Sequence, residues 1–193
     1  LIITNAHKII NGEYPELHER NSDFFFIKQN DAEEIKNTIL DLYKRRLPNA
    51  YGYYKLDDIQ VLCQSKLGIL GTVNLNKSLR EMLNPSSYSK SELKIGNTIF
   101  RKYDKIIQIK NDYDITWTRD NGQTGTGVFN GDIGTIIDID NVKDLIQVKY
   151  DDKIAIYDTS KMINLELAYA MTVHKSQGSE FNAIIMPMFD GPK

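Results

Sequence analysis

Apolar positions along the chain follow two different rhythms. Ile2, Ala6, Ile9 and Ile10 fall at helical spacing, and Gly12 follows as a stop. Residues 23–29 (DFFFIKQ) form a short apolar run of strand type. Asp31 offers a capping box with Glu34, and Ile35, Ile39, Leu42 and Tyr43 make one apolar face, which Pro48 is expected to close. Residues 59–63 (IQVLC) predict a buried strand. After a loop at 64–71, a second amphipathic helix carries Leu75, Leu79, Met82 and Leu83 as far as Asn84-Pro85. This alternation is that of a parallel, doubly wound α/β sheet.

Beyond Gly96 the period shortens. Runs at 106–109, 114–117, 133–137, 146–150 and 154–157 are β-rich, with turn signals at Asn121-Gly122, Asn130-Gly131 and Asp151-Asp152. Short strands at this spacing predict a small β-barrel. The stretch 114–127 (DITWTRDNGQTGTG) predicts a protruding hairpin with Trp117 at its base. Helical texture returns at 165–178, and 182–188 (NAIIMPM) is a further strand candidate. The pattern is therefore an α/β fold interrupted by an all-β insert.

Composition narrows the function classes. Of 193 residues, 41% are hydrophobic and 26% charged, an ordinary globular balance. The net charge of -2 excludes a polycation, so any nucleic-acid site must be a local basic patch. Cys63 is the single cysteine, which excludes an internal disulfide and leaves no Cys/His set for zinc. No apolar run reaches the ~20 residues that cross a bilayer, and no signal peptide opens the chain. A cytoplasmic setting without a membrane partner is the expectation, and the Asn76-Lys77-Ser78 sequon carries no weight there. The chain opens at Leu1 inside a helical pattern and stops at Pro192-Lys193, so both ends read as boundaries of a piece of a longer protein.

The chemistry concentrates at 167–181 (LAYAMTVHKSQGSEF). Read as a helix ending at Gly178, it gathers Thr172, His174, Lys175, Ser176 and Gln177 at one end, a donor set suited to phosphates. A simply solvated helix tip accounts for the same composition. The loop from Ser65-Lys66 to Gly71-Thr72 lies between strand and helix. It either presents free N–H groups to a phosphate or is an ordinary connection. Lys110, Asn111 and Tyr113 are placed to line a nucleic-acid strand, with Tyr113 offering a ring face to a base. The other reading puts Tyr113 in a barrel wall. His7 reads as a structural histidine and the run at 44–46 as a helix end with a favourable dipole. Gly122, Gly125 and Gly127 are not followed by Gly-Lys-Ser/Thr, and Asp112 with Asp114 lacks the remaining calcium ligands. Asp138 and Asp140 read as a strand end and turn.

The string HKSQGSEF (174–181) resembles motif V of superfamily 1 helicases, specifically the RecD/TraA branch that includes exodeoxyribonuclease V alpha-subunit-like proteins. LIITNAHKIINGEYPEL (1–17), VLCQSKLGILGTVNLNKSLREMLNP (61–85), DKIIQIKNDYD (104–114) and VFNGDIGTI (128–136) resemble further segments of the same family. The resemblance implies a RecA-like motor domain (2A) over 1–95 and 164–193, with an SH3-like barrel (2B) over 96–163. It implies that Thr172, His174 and Lys175 face single-stranded DNA and favours phosphate contact by Ser65, Lys66 and Thr72, while Lys110, Asn111 and Tyr113 are DNA-contact candidates by their own residue types. Gln177, Gly178 and Glu180 would couple that grip to the nucleotide. The parent would be a 5′-to-3′ DNA helicase using ATP and Mg²⁺ and acting with an N-terminal motor domain, while the sequence leaves open whether nuclease subunits join it. No catalytic residue is assigned in this chain, because no Walker A lysine, Walker B acidic pair or motif VI arginine occurs in it. No tightly bound cofactor is expected. Rival readings are a non-enzymatic nucleic-acid or protein-binding module, a dinucleotide enzyme (for which a Gly-x-Gly-x-x-Gly is missing), and a Pif-type helicase, from which Ser179-Glu180-Phe181 departs.

Overall fold

A computed structural model describes residues 1–19, 22–53 and 56–189. Helix α1 (Ile2–Ile10) forms where the apolar spacing placed it, and Gly12 follows with φ +79°. Its buried residue is not apolar. Asn5 donates from Nδ2 to the Glu16 carbonyl (2.9 Å) and accepts from the Glu16 N–H (2.7 Å), while Ile2, Ile3, Ile9 and Ile10 stay exposed. The strand expected at 23–29 is absent. Among the described residues they pair with no strand, and Phe25 and Phe26 remain exposed, because an isolated extended run has no ladder to join.

Helix α2 (Ala32–Asp41) starts on Asp31, whose Oδ1 accepts from the N–H groups of Glu33 (2.9 Å) and Glu34 (3.0 Å). The helix does not close at Pro48. It passes through a π-turn (Leu42–Arg46) into α3 (Leu47–Tyr51) and ends at Gly52 with φ +69°. Leu47 N–H reaches back to Leu42 C=O, the wider π spacing, so Pro48 opens the new turn, where its missing donor costs little. Ile39 and Tyr43 are buried, and the Tyr43 hydroxyl donates to Ile59 C=O at 3.1 Å.

Strand β1 (Ile59–Cys63) is buried throughout, and α4 (Thr72–Leu83) lays Leu75 and Leu79 into the same core. Then come the hairpin β2 (Glu92–Ile95) and β3 (Thr98–Arg101), and strands β4 (Lys105–Gln108), β5 (Asp112–Arg119), β6 (Thr124–Val128), β7 (Ile133–Asp140), β8 (Leu145–Tyr150) and β9 (Lys153–Tyr157). The short helix α5 (Thr159–Met162) leads to β10 (Leu165–Leu167), β11 (Ala170–Thr172), a 3₁₀ turn (Val173–Ser176) and β12 (Ala183–Ile185).

The result is a mixed α/β fold. A three-stranded parallel sheet has the order β11-β1-β12, and a seven-stranded antiparallel sheet the order β10-β4-β7-β8-β9-β5-β6. No pairing joins β10 to β6 among the described residues, although both contribute to one core with Ile136, Ile146 and Tyr157. The expected hairpin is β5–β6, where Trp117 sits opposite Gly125.

Residues 165–178 do not form the expected helix. Residues 165–167 and 170–172 are strands, and only 173–176 turn helically. Apolar runs this short fit either period. Here the buried edge of β1 decides, pairing Val61 with Ala170 and Cys63 with Thr172.

A buried polar seam joins the two sheets. Lys105 Nζ on β4 donates to Gln60 Oε1 on β1 (3.0 Å) and to Leu56 C=O, while Gln60 Nε2 donates to Ala168 C=O (3.1 Å) and Tyr169 C=O (3.3 Å). Asp104 accepts from Asn84 Nδ2 (2.9 Å), Arg101 N–H (2.8 Å) and the Tyr169 hydroxyl (3.0 Å). Burial pushes the Lys105 ammonium down to about 8.

Candidate nucleic-acid interface

Parallel pairing of β1 and β11 sends both chains out at one end of the small sheet. Cys63 and Thr172 lie side by side, so the loop after β1 and the 3₁₀ turn after β11 emerge together. Lys66 comes from the first and Lys175 from the second. Both reach Glu166 on β10: Lys175 Nζ meets Oε2 at 2.5 Å and Lys66 Nζ meets Oε1 at 3.5 Å. Burial raises the Glu166 carboxyl, but the two lysines outweigh it and hold the group below the usual carboxylate range. Thr72 and Thr172 line the same small pocket, so Lys66, Thr72, Thr172 and Lys175 converge.

The loop itself differs from one expectation. Thr72 N–H donates to Ser65 C=O (3.1 Å), Val73 N–H to Lys66 C=O (3.2 Å) and Gly71 N–H to Gly68 C=O (3.1 Å). The N–H groups of Gly71, Thr72 and Val73 are taken up within the loop, so the lysine is the loop's main group for meeting an anion. A Cβ on Gly71 would lie 2.4 Å from the Leu67 carbonyl oxygen, which makes this tight fold-back a glycine position. The Ser65 hydroxyl donates to Leu67 C=O at 2.9 Å. His174 is exposed and Lys175 half-buried.

Gln177, Gly178 and Glu180 fall elsewhere. With Ser179 and Phe181 they form one wall of an open groove whose other wall is Asn130–Ile133 and Asp151. Gly178 makes the bend with φ +84°. Lys110, Asn111 and Tyr113 lie on the β4–β5 connection and the start of β5. Lys110 is exposed, and Asn111 Oδ1 accepts from Asn130 N–H at 2.8 Å. Tyr113 stands on strand β5 without being buried in the sheet. It is 65% exposed and meets Phe129 edge-on, ring centres 5.9 Å apart.

Two site residues escaped the sequence reading. Glu166 was hidden by the helical reading, whereas strand alternation sets it on the face opposite Leu165 and Leu167. Phe129, beside the Asn130-Gly131 turn, became visible only through its contact with Tyr113.

Residues 75–150 match the model of the ATP-dependent RecD-like DNA helicase SH3 domain, and residues 167–193 that of the UvrD-like helicase C-terminal domain. The chain belongs to the RecD-like superfamily 1 helicases. It is 26% identical over 184 residues to the ATP-dependent RecD2 DNA helicase of Deinococcus radiodurans, which covers 95% of this chain and 22% of that protein. It is 30% identical over 131 residues to the RecBCD enzyme subunit RecD of Buchnera aphidicola subsp. Schizaphis graminum, covering 66% of this chain and 20% of the relative. The corresponding subunit of Buchnera aphidicola subsp. Acyrthosiphon pisum is 28% identical over 187 residues, covering 87% and 28%. The chain thus spans between 20% and 28% of the length of these relatives. Within this RecD-like chain, no group of three or more His, Cys, Asp or Glu among the described residues is placed to hold a metal ion. No helix among them is long and apolar enough to cross a membrane.

Proposed function

We propose that this chain is the DNA-gripping part of an ATP-dependent 5′-to-3′ DNA helicase that travels on single-stranded DNA. Residues 1–95 and 164–193 would be the RecA-like domain 2A, and residues 96–163 the SH3-like insert 2B. The observation that carries the reading is the convergence of Lys66, Thr72, Thr172 and Lys175 at the end of the parallel sheet. Cations and hydroxyls gathered there suit a phosphate backbone and carry no base preference. Ser65 and His174 flank that cluster, and Lys110, Asn111 and Tyr113 would extend the track along the insert, Tyr113 with Phe129 stacking against bases.

Gln177, Gly178 and Glu180 would transmit nucleotide state to that grip. No Walker A lysine and no Walker B acidic pair occur in this sequence, and ATP and Mg²⁺ chemistry would belong to a first motor domain of the same protein. Nucleotide-driven closure against that domain would shift the grip along DNA. Polarity follows from the RecD/TraA resemblance alone.

Oligothymidylate binding by Lys175→Ala is the direct test. Affinity should fall at low salt with the thermal midpoint unchanged, and binding should weaken with added salt as counterion release predicts. Wild-type affinity in this variant removes Lys175 from the track. The 193-residue chain alone should turn over no ATP with or without DNA.

A further inference from the structure

Glu166 has no place in the proposed grip, yet it contacts both of that grip's lysines. Its two oxygens are divided between them, one to Lys66 and one to Lys175, which come from different loops. A phosphodiester presents a similar pair of charged oxygens. The carboxylate sits on a fixed support, since Glu166 pairs with Ile107 across β10–β4 and the next strand residue's neighbour, Ala168, donates to Lys105 C=O at 2.9 Å. The lysines sit on loops and have long flexible stems. Glu166 and Lys66 are open to water, their side chains 38% and 58% exposed, and an ion pair this exposed is weak. Lys175 is 22% exposed and makes the shorter contact, so its pair is the one an arriving phosphate has to outcompete.

We infer that Glu166 is an internal counter-ion that takes the place of a backbone phosphate between Lys66 and Lys175 in the DNA-free protein. It thereby sets the affinity and the salt dependence of the grip. The inference rests on the proposed DNA-binding role of these lysines. On arrival, a phosphate displaces the carboxylate, which turns to water. The lysines exchange one anion for another, and part of the gain from ion release is lost. The carboxylate also holds the two lysines side by side before DNA arrives, so the cluster is assembled in advance.

Anisotropy of a fluorescein-labelled oligothymidylate, titrated at several salt concentrations, tests this. Glu166→Gln should bind tighter at low salt, on the order of threefold to tenfold. Its slope of log affinity against log salt should steepen by up to about 0.7, one phosphate equivalent on a single strand. Glu166→Asp keeps the charge but is too short to serve both lysines, and should fall between Glu166→Gln and the wild type. The gain should vanish when Lys66→Ala and Lys175→Ala are added to Glu166→Gln. Lysine variants that weaken binding, with Glu166→Gln and Glu166→Asp no tighter than wild type, overturn the counter-ion role and leave the grip standing. Wild-type affinity in both lysine variants overturns the grip itself.

Discussion

Lys105 is an ammonium in a buried seam, held by Gln60 Oε1 and the Leu56 carbonyl. Its ordinary value is 10.5, and burial lowers it to about 8 in the folded protein. The unfolded chain therefore binds this proton more tightly than the folded chain does. Between those two pH values unfolding takes up a proton, so folded-state stability rises with pH across the window, by on the order of 3 kcal/mol. Lys105→Met lacks this contribution. Urea melts of both proteins should show the wild type gaining on the variant as pH climbs from about 8 to about 10.5. A constant difference across that range contradicts the assignment. At the hairpin, a Cβ on Gly125 would lie 2.4 Å from the Trp117 ring. Gly125→Ala should force the ring outward, at about 1–3 kcal/mol, and red-shift the emission of the chain's single tryptophan.

Elements that carry their own stop and start signals were legible in advance. Asp31 is one: its side chain caps α2 through two N–H groups, and Asp31→Ala should cost about 1 kcal/mol in thermal unfolding. The β-rich stretch was likewise readable, because its turns at Gly122 and Gly131 announce themselves. What the local pattern could not decide was settled by distant partners. Residues 165–172 are rich in Leu and Ala and read as helix, yet β1 and β4 each recruit part of them as a strand. Pro48 does not stop the helix, because the π-turn ahead of it puts Pro48 in the first turn of α3, where a missing N–H costs little. The candidate site was legible as a set of residue types at 172–175 and 65–72. Its counter-charge was not, since Glu166 lies outside both stretches.

On the scale of the molecule, the two sheets are tied by side chains that cross between them. Gln60 donates into the 168–169 link that joins β10 to β11, so that link cannot shift without breaking bonds at β1. Gln60→Leu would leave the carbonyls of Ala168 and Tyr169 without this donor, at about 1–3 kcal/mol. Faster amide exchange at 168–170 than in β8 would identify where the loss falls; uniform acceleration would assign it to the whole fold. The same doorway serves the chain in both directions. Asn84 Nδ2 and the Tyr169 hydroxyl both donate to Asp104 Oδ1, at 2.9 Å and 3.0 Å, so the chain between residues 84 and 169 leaves and returns at one place. A detour whose two ends stand shoulder to shoulder can lengthen or shrink over evolutionary time while the strands it departs from keep their places. The β5–β6 tip, far along that detour, is accordingly where a fluorescent label or a grafted peptide should be carried with least disturbance.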